Sequence, residues 1–287
     1  MEHMIALVTG ASSGIGHEAA LALKAQGVTV YAGARRPMPD LQDKGVHALS
    51  LDVTDEASLQ SAVGTILERE GRIDILINNA GYGSYGAIED VPLDEAKRQF
   101  DVNVFGAMRL TQLVLPHMIA NHRGRIVNIS SMGGKFSMAL GGWYHATKYA
   151  LEALSDSLRQ EVRSFGVDVV LIEPGMIHTE WPKIAAEHLR STSGLGKYST
   201  IARNFATMLE FAGQGFATDP AVLGETIARA ATCRRPRTRY RKGMGALGLI
   251  ILLSITPDRL VDATIRLFLT HMDQLMELIR PDARASR

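Results

Sequence analysis

Cysteine is almost absent. The chain of 287 residues has one, Cys233, so no disulfide can close within it and an oxidising compartment gains no support. An excess of charge of one sign is also missing, because 31 basic residues face 30 acidic ones for a net charge of +1. That balance supplies no global attraction for nucleic acid, and no nucleic-acid partner is expected. A bilayer span needs about 20 apolar residues. The longest apolar run, Met244 to Ile255, is shorter than that and is interrupted by Gly245, Gly248 and Ser254, so no transmembrane span is expected. The opening MEHMIALVTG lacks a basic segment leading into an apolar one, which argues against a signal peptide and makes the cytoplasm the expected location. The nine histidines show no metal-ligand spacing: His117 and His122 are five apart, off one helical face, and no metal is expected.

What remains is an ordinary globular composition, 46% hydrophobic and 21% charged. Apolar, β-branched runs alternate with helical patterns. Strands are expected at 4–9, 28–34, 46–51, 73–78, 125–130 and 167–173, with 237–242 as a seventh. Helices are expected at 15–26, 58–70, 143–165, 220–232 and 257–278, with helical periodicity across 94–118. Alternation of this kind predicts an α/β fold, a Rossmann-like doubly wound, mostly parallel seven-stranded sheet with helices on both faces. No composition break marks a second domain. The chain reads as one domain over 1–287, with a substrate lid at about 180–217 and a helical C-terminal extension at about 244–287. The apolar stretch 244–255 is expected to be core or subunit interface rather than a membrane-surface contact.

Between the first strand and the first helix stands Thr9-Gly10-Ala11-Ser12-Ser13-Gly14-Ile15-Gly16. Glycines at 10, 14 and 16 let the backbone turn tightly against a pyrophosphate, which the helix N-terminus then stabilises. The same residues also spell G-x-S-x-G, the nucleophile elbow of serine hydrolases, with Ser12 as the alternative nucleophile. That elbow normally follows several strands, whereas this one follows the first. An NAD site usually carries an acid at the end of the second strand. Here that strand runs into Ala34 and Arg35, and a guanidinium suits the 2′-phosphate of NADP(H), with Ser12 as a further donor.

Tyr144 and Lys148 are four apart near the start of a long helix, so they share one face. A tyrosine pKa near 10 is too high for base chemistry at neutral pH, and a neighbouring ammonium lowers it. Ser131, thirteen residues before Tyr144, ends the fifth strand, at the sheet edge where ligands bind in open α/β folds.

Taken with NNAG (78–81), LDVT (51–54), NVFG (103–106), ISS (129–131) and EPGMIHT (173–179), these motifs resemble the short-chain dehydrogenase/reductase family, NADP-preferring, over roughly residues 4–180. The resemblance implies an oxidoreductase moving a hydride between NADP(H) and an alcohol or carbonyl. Tyr144 would be its general acid/base, with Ser131 on the substrate oxygen and Lys148 on the nicotinamide ribose. Asn103 would complete a proton relay through water. It further implies cofactor contacts from Gly10, Ser12, Ser13, Gly14, Ile15, Gly16 and Arg35, from Asp52 and Val53 at the adenine, and from Asn79, Ala80 and Gly81. Pro174, Gly175, Ile177 and Thr179 would hold the nicotinamide end. Homodimers or homotetramers pairing through the helices at 94–121 and 143–165 are implied as well. A non-catalytic NADP-binding protein is the alternative from another class. Tyr82, Met132, Phe136, Trp143, Met176 and Trp181 are candidate pocket walls, whose bulk suggests an apolar ketone or aldehyde. The basic run Arg234–Lys242 is expected to be a solvated strand edge or a site for acidic side chains.

Overall fold

The computed structural model describes residues 3–215 and 217–279. Seven strands form one parallel sheet in the order β3-β2-β1-β4-β5-β6-β7. They are β1 (Ile5–Thr9), β2 (Thr29–Ala34), β3 (His47–Ser50), β4 (Ile75–Asn78), β5 (Gly124–Ile129), β6 (Val167–Pro174) and β7 (Arg239–Lys242). The helices are α1 (Gly14–Ala25), α2 (Pro39–Asp43), α3 (Glu56–Glu70), α4 (Leu93–Phe100), α5 (Ala107–Ala120), α6 (Gly142–Val162), α7 (Trp181–Ser193), α8 (Ser199–Gly215), α9 (Pro220–Thr232), α10 (Ala246–Ile255) and α11 (Asp258–Ile279). The expected doubly wound sheet is therefore present.

The central strands are buried on both faces. Every residue of β1 and β4 is buried, which is why they read as continuous apolar runs instead of alternating ones. One face packs Ala19, Ala20 and Leu23 of α1 and Leu223 and Ile227 of α9 against Ala6, Val8 and Val127. Small residues let these two helices close up. A Cβ at Gly224 would sit 2.6 Å from the Glu18 carbonyl carbon. The opposite face packs Leu59, Val63 and Ile66 of α3 and Leu110, Val114 and Met118 of α5 against Ile5, Leu7 and Leu76. A third cluster, built around Tyr85, Tyr144, Phe205 and Leu209, lies between α6 and the α7–α8 pair. Strand order reverses between β1 and β4, and this switch point opens a crevice at the strand C-termini.

Three expectations need correction. The helical periodicity over 94–118 is two helices, α4 and α5, joined by a π-helical turn, Asp101–Gly106. The seventh strand is shorter than expected and begins at Arg239. The apolar stretch 244–255 is not core: it forms α10, in which only Ala246 and Ile250 are buried while Leu247, Ile251, Leu252 and Ile255 are exposed. Hydrophobicity alone does not bury a helix; it needs a facing element, and α10 has one on a single side.

The basic run does serve acidic side chains. Arg239 reaches Glu152 at 3.2 Å, Asp156 at 2.6 Å and Glu173 at 3.0 Å. Arg241 binds Glu173 at 2.6 Å and Lys135 binds Glu152 at 2.7 Å. Glu173 is fully buried and Glu152 nearly so, so these cations compensate charges withdrawn from water. We expect Arg239→Ala to cost about 2–4 kcal/mol, with a Tm several degrees lower in calorimetry. A change below about 1 kcal/mol would show that Lys135 and Arg241 suffice.

Candidate active site

The glycine turn is stitched to the end of β4. Asn79 Nδ2 donates to the Thr9 carbonyl at 2.9 Å and the Gly10 carbonyl at 3.1 Å, and Thr9 Oγ1 accepts from the backbone N–H groups of Asn79 and Ala80 at 3.0 Å each. A Cβ on Gly10, whose φ is +65°, would lie 2.8 Å from Ala80 Cα, and one on Gly16 would overlap Asn79 Nδ2. Gly14 has φ +57° and faces Thr179. The turn is thus a cradle that side chains would fill. Ser13 makes no side-chain cap, which leaves the first N–H groups of α1 facing the crevice as an anion site of the kind a pyrophosphate fits.

Arg35 and Arg36 both line the crevice. Arg36, which the sequence analysis passed over, donates to Ser12 Oγ at 3.2 Å and to Ser13 Oγ at 3.1 Å. The only available signal was the doubled arginine after β2. This contact also answers the hydrolase alternative: the Ser12 hydroxyl is engaged by a guanidinium, and among the described residues no histidine is hydrogen-bonded to it. Asp52 Oδ1 accepts from Thr54 N at 3.0 Å and Thr54 Oγ1 at 2.7 Å. Burial works against its charge, but those bonds together with Arg35 and Arg98 hold the carboxyl below its ordinary range. Asp52 and Val53 wall the crevice beyond Ala34.

Tyr144 and Lys148 are both buried on one face of α6. Tyr144 and Ser131 line the same cavity, where the Ser131 side chain works to lower the Tyr144 pKa, and Ser131 Oγ accepts from Gly133 N at 3.0 Å. Ser130 Oγ, by contrast, is buried without a partner. Acidification of Tyr144 by Lys148 is not what this structure displays. Burial pushes the phenol up to about 12, opposed only by the Ser131 side chain. Lys148 Nζ donates instead to the Ile129 carbonyl at 2.9 Å, and burial lowers the ammonium to about 8 against the pull of Glu152. Desolvation wins at both groups.

Asn103 lies in the π-helical turn. Its Oδ1 accepts from Tyr82 N at 3.0 Å, and Nδ2 donates to the Tyr82 carbonyl at 2.9 Å and Thr147 Oγ1 at 3.1 Å. Both N–H groups of the amide are therefore taken by protein, and the relay expected of Asn103 is not carried by them. Gly81 sits between Asn103 and Lys148: a Cβ there would lie 3.1 Å from Asn103 Oδ1 and 3.7 Å from Lys148 Nζ. Gly175 N donates to the Lys242 carbonyl at 2.8 Å, and Ile177 bridges to Thr218. The segment Pro174–Thr179 ends against the glycine turn, where a Cβ on Gly14 would lie 3.2 Å from Thr179 Cγ2.

One cavity of about 690 Å³ joins the glycine turn, the Ser131–Tyr144 pair and an apolar end. Met132, Phe136, Met176 and Trp181 line it together with Phe205 and Leu209 of α8. Tyr82 lines it as well, with its hydroxyl tied to Glu95 at 2.9 Å. Trp143 does not. It faces a separate groove with Leu93, Phe100 and Phe105, because it precedes Tyr144 by one residue and so lies about 100° around the helix. Among the lining residues that the sequence analysis missed are Tyr85 and His145. Tyr85 packs 5.5 Å from the Tyr144 ring and 5.8 Å from Trp181. His145 Nδ1 bonds the Gly133 carbonyl at 2.8 Å, bracing the turn that holds Ser131. Tyr85 sits in no motif, and His145, though inside the Tyr144–Lys148 segment, is at a position that the four-residue spacing does not single out.

A family model described as short chain dehydrogenase matches residues 4–189. The chain is 36% identical over 266 residues to a probable short-chain type dehydrogenase/reductase, VdlC, of Helicobacter pylori, covering 92% of this chain and 97% of that protein. It is 33% identical over 273 residues to 3-ketodihydrosphingosine reductase of Bacteroides thetaiotaomicron, covering 93% and 98%. With NADPH-dependent 3-dehydrocapnine reductase of Ornithobacterium rhinotracheale it is 33% identical over 273 residues, covering 90% and 94%. Among solved structures, a short-chain dehydrogenase from Streptomyces avermitilis superposes with a TM-score of 0.75 at 32% identity, over 96% of this chain and 98% of the other. A metagenomic short-chain oxidoreductase in complex with NADP superposes at 0.65 with 27% identity, over 83% and 96%. The chain belongs to the short-chain dehydrogenase family. It is an oxidoreductase of alcohol and carbonyl groups that depends on a nicotinamide dinucleotide, and NADP(H) is the form that suits its paired arginines.

Removing the buried ammonium has a signed consequence. The folded-state pKa of Lys148 lies below its unfolded value, so between about pH 8 and pH 10.5 the unfolded chain holds more protons and this group's contribution to stability rises with pH. At neutral pH the buried charge costs up to about 3 kcal/mol. Lys148→Met is therefore expected to be more stable than the parent in urea at pH 7, with the advantage shrinking towards pH 10. A variant less stable at pH 7 would contradict the cost assigned to burial.

Proposed function

We propose that the protein is an NADPH-dependent reductase of long-chain aliphatic ketones, with Tyr144 as the proton donor. The observation that carries this reading is the single cavity in which the Ser131–Tyr144 hydroxyl pair adjoins a wall of Met132, Phe136, Met176 and Trp181. A ketone whose oxygen meets the two hydroxyls leaves its chain against those apolar side chains, where burial contributes about 0.8 kcal/mol per CH₂. Two of the similar proteins are named as reductases of 3-keto and 3-dehydro substrates, which supports a carbonyl near the head of a longer molecule.

When bound, NADPH supplies the hydride. The chain's own residues do the rest. Ser131, fixed by Gly133 N, holds the carbonyl oxygen beside the Tyr144 hydroxyl. Tyr144 keeps its proton throughout the neutral range because burial raises its pKa, and that suits donation to a developing alkoxide more than abstraction from an alcohol. Lys148, brought down to about 8, gives up and regains a proton easily near neutrality and restores the phenol. Asn103 positions it by clamping the Gly81–Tyr82 backbone beside its Nζ. Arg35 and Arg36 recognise the 2′-phosphate, with Ser12 and Ser13 as hydroxyl partners. The helices α7 and α8 act as the substrate lid.

In NADPH-oxidation assays over a homologous series of ketones, kcat/KM should climb with chain length, and NADH should serve at least about tenfold less well, the worth of one charge-assisted contact. Tyr144→Phe should lower kcat by about 10²–10⁴ with NADPH affinity within a few-fold of the parent. Preference for NADH, or a flat chain-length profile, would overturn the assignment. NADPH binding without turnover of any ketone would favour the non-catalytic alternative. Exchanging Arg35 and Arg36 together for alanine should raise the KM for NADPH at least about tenfold and leave that for NADH nearly unchanged.

A further inference from the structure

We propose that the outer face of the α10–α11 hairpin docks onto an anionic lipid bilayer, bringing the substrate cavity to the membrane surface. From Gly243 to Pro257 the chain carries no charged residue. Helical geometry divides this stretch into two sides. Ala246 and Ile250, one turn apart, are buried against the protein, while Leu247, Ile251 and Ile255 repeat on the opposite side at 53%, 48% and 75% exposure, with Leu252 at 58% beside them. In α11, Ile265 and Leu269 pack into the cluster that holds Tyr144 and Phe205, whereas Leu260 and Leu267, two turns apart, are 58% and 63% exposed. Exposed aliphatic side chains repeated along two consecutive helices mark an interaction surface. No described helix is long and apolar enough to cross a membrane, so the geometry fits lying on one.

Charge decides the occupant. The hairpin follows directly from the basic run. Arg239 and Arg241 are engaged by buried carboxylates, but Arg234, Arg235, Arg237 and Lys242 are exposed. Lys242 precedes Met244, itself 46% exposed, by two residues. Lys242 stands at the head of the aliphatic helix and the three arginines precede it at the other end of β7, a net basic edge that complements anionic headgroups over acyl chains. A second copy of this chain docked symmetrically through α10 would instead bring two copies of the same basic run into one interface. The hairpin is also continuous with the site: Met244 bridges to Met176, and α11 packs on α8, whose Phe205 and Leu209 line the cavity.

The test uses the full chain without substrate, so it stands or falls separately from the ketone assignment. Co-sedimentation with phosphatidylglycerol vesicles should exceed that with phosphatidylcholine vesicles at least about tenfold at low salt and weaken as salt rises. The double variant Ile251→Glu/Ile255→Glu should lose at least about tenfold of the bound fraction, with its circular dichroism and NADPH affinity unchanged. If that variant fails to fold, Leu252→Trp replaces it: its fluorescence should be quenched by vesicles of brominated phosphatidylglycerol and not by the unbrominated lipid. Equal sedimentation with both lipids, retained binding by the double variant, or an unquenched Leu252→Trp would overturn the proposal. So would absence of vesicle binding together with an oligomer that the double variant dissociates, which would assign the face to a second copy.

Discussion

A buried ammonium must find an acceptor, and the one Lys148 finds sets the geometry of the whole cleft. Its bond to the Ile129 carbonyl fastens α6 to the end of β5 at a single register. Tyr144 stands one helical turn before the lysine, and Ser131 stands two residues beyond the isoleucine. Fixing the one contact therefore fixes where the two hydroxyls stand. The turn after Ser131 is braced independently, by Gly133 N on the serine hydroxyl and by His145 on the Gly133 carbonyl. The two side chains are thus held from strand, turn and helix together, the kind of preorganisation that the proposed proton transfer at a developing charge requires.

Most of the scaffold was legible because its central strands are buried on both faces and carry the mark of it: β1 and β4 are almost wholly apolar, and β6 is apolar from Val169 to Ile172. The glycine turn was legible because only glycine tolerates the approach of Ala80 and Asn79. Legibility failed where a feature depends on a partner rather than on the residue itself. The π-helical turn at Asp101–Gly106 has no compositional signature, since one extra residue in a hydrogen-bonded ring leaves side-chain chemistry untouched. The aliphatic residues of α10 look like core residues, and nothing in their identity tells that one side lacks a cover. Tyr85 enters the cleft by tertiary placement alone, and of the two neighbours of Tyr144 in sequence His145 lines the cleft while Trp143 faces elsewhere.

The electrostatics of the cleft differ from what spacing suggested. Proximity on one helical face predicts that a lysine acidifies a tyrosine; burial of both raises the phenol and lowers the ammonium instead. The site is thereby biased toward a neutral phenol that has a proton to give. The same burial makes α6 costly to fold, a stability–function conflict commonly found at catalytic centres. The ion-pair group ties Glu152 of the same helix to Glu173 of β6 through Arg239 of β7 and Lys135 of the turn after Ser131, and it compensates charges that would otherwise add to that cost.

One close approach joins the two ends of the crevice. Gly106 closes the π-helical turn directly against the Val53 carbonyl, a contact that leaves no room for any Cβ. The loop expected to cradle the adenine therefore leans on the same turn that presents Asn103 to the Tyr82 backbone and Thr147. Recognition of the remote half of a dinucleotide and alignment of the reacting half share a common abutment. A ligand fragment that fills only one half would leave that abutment loaded from one side.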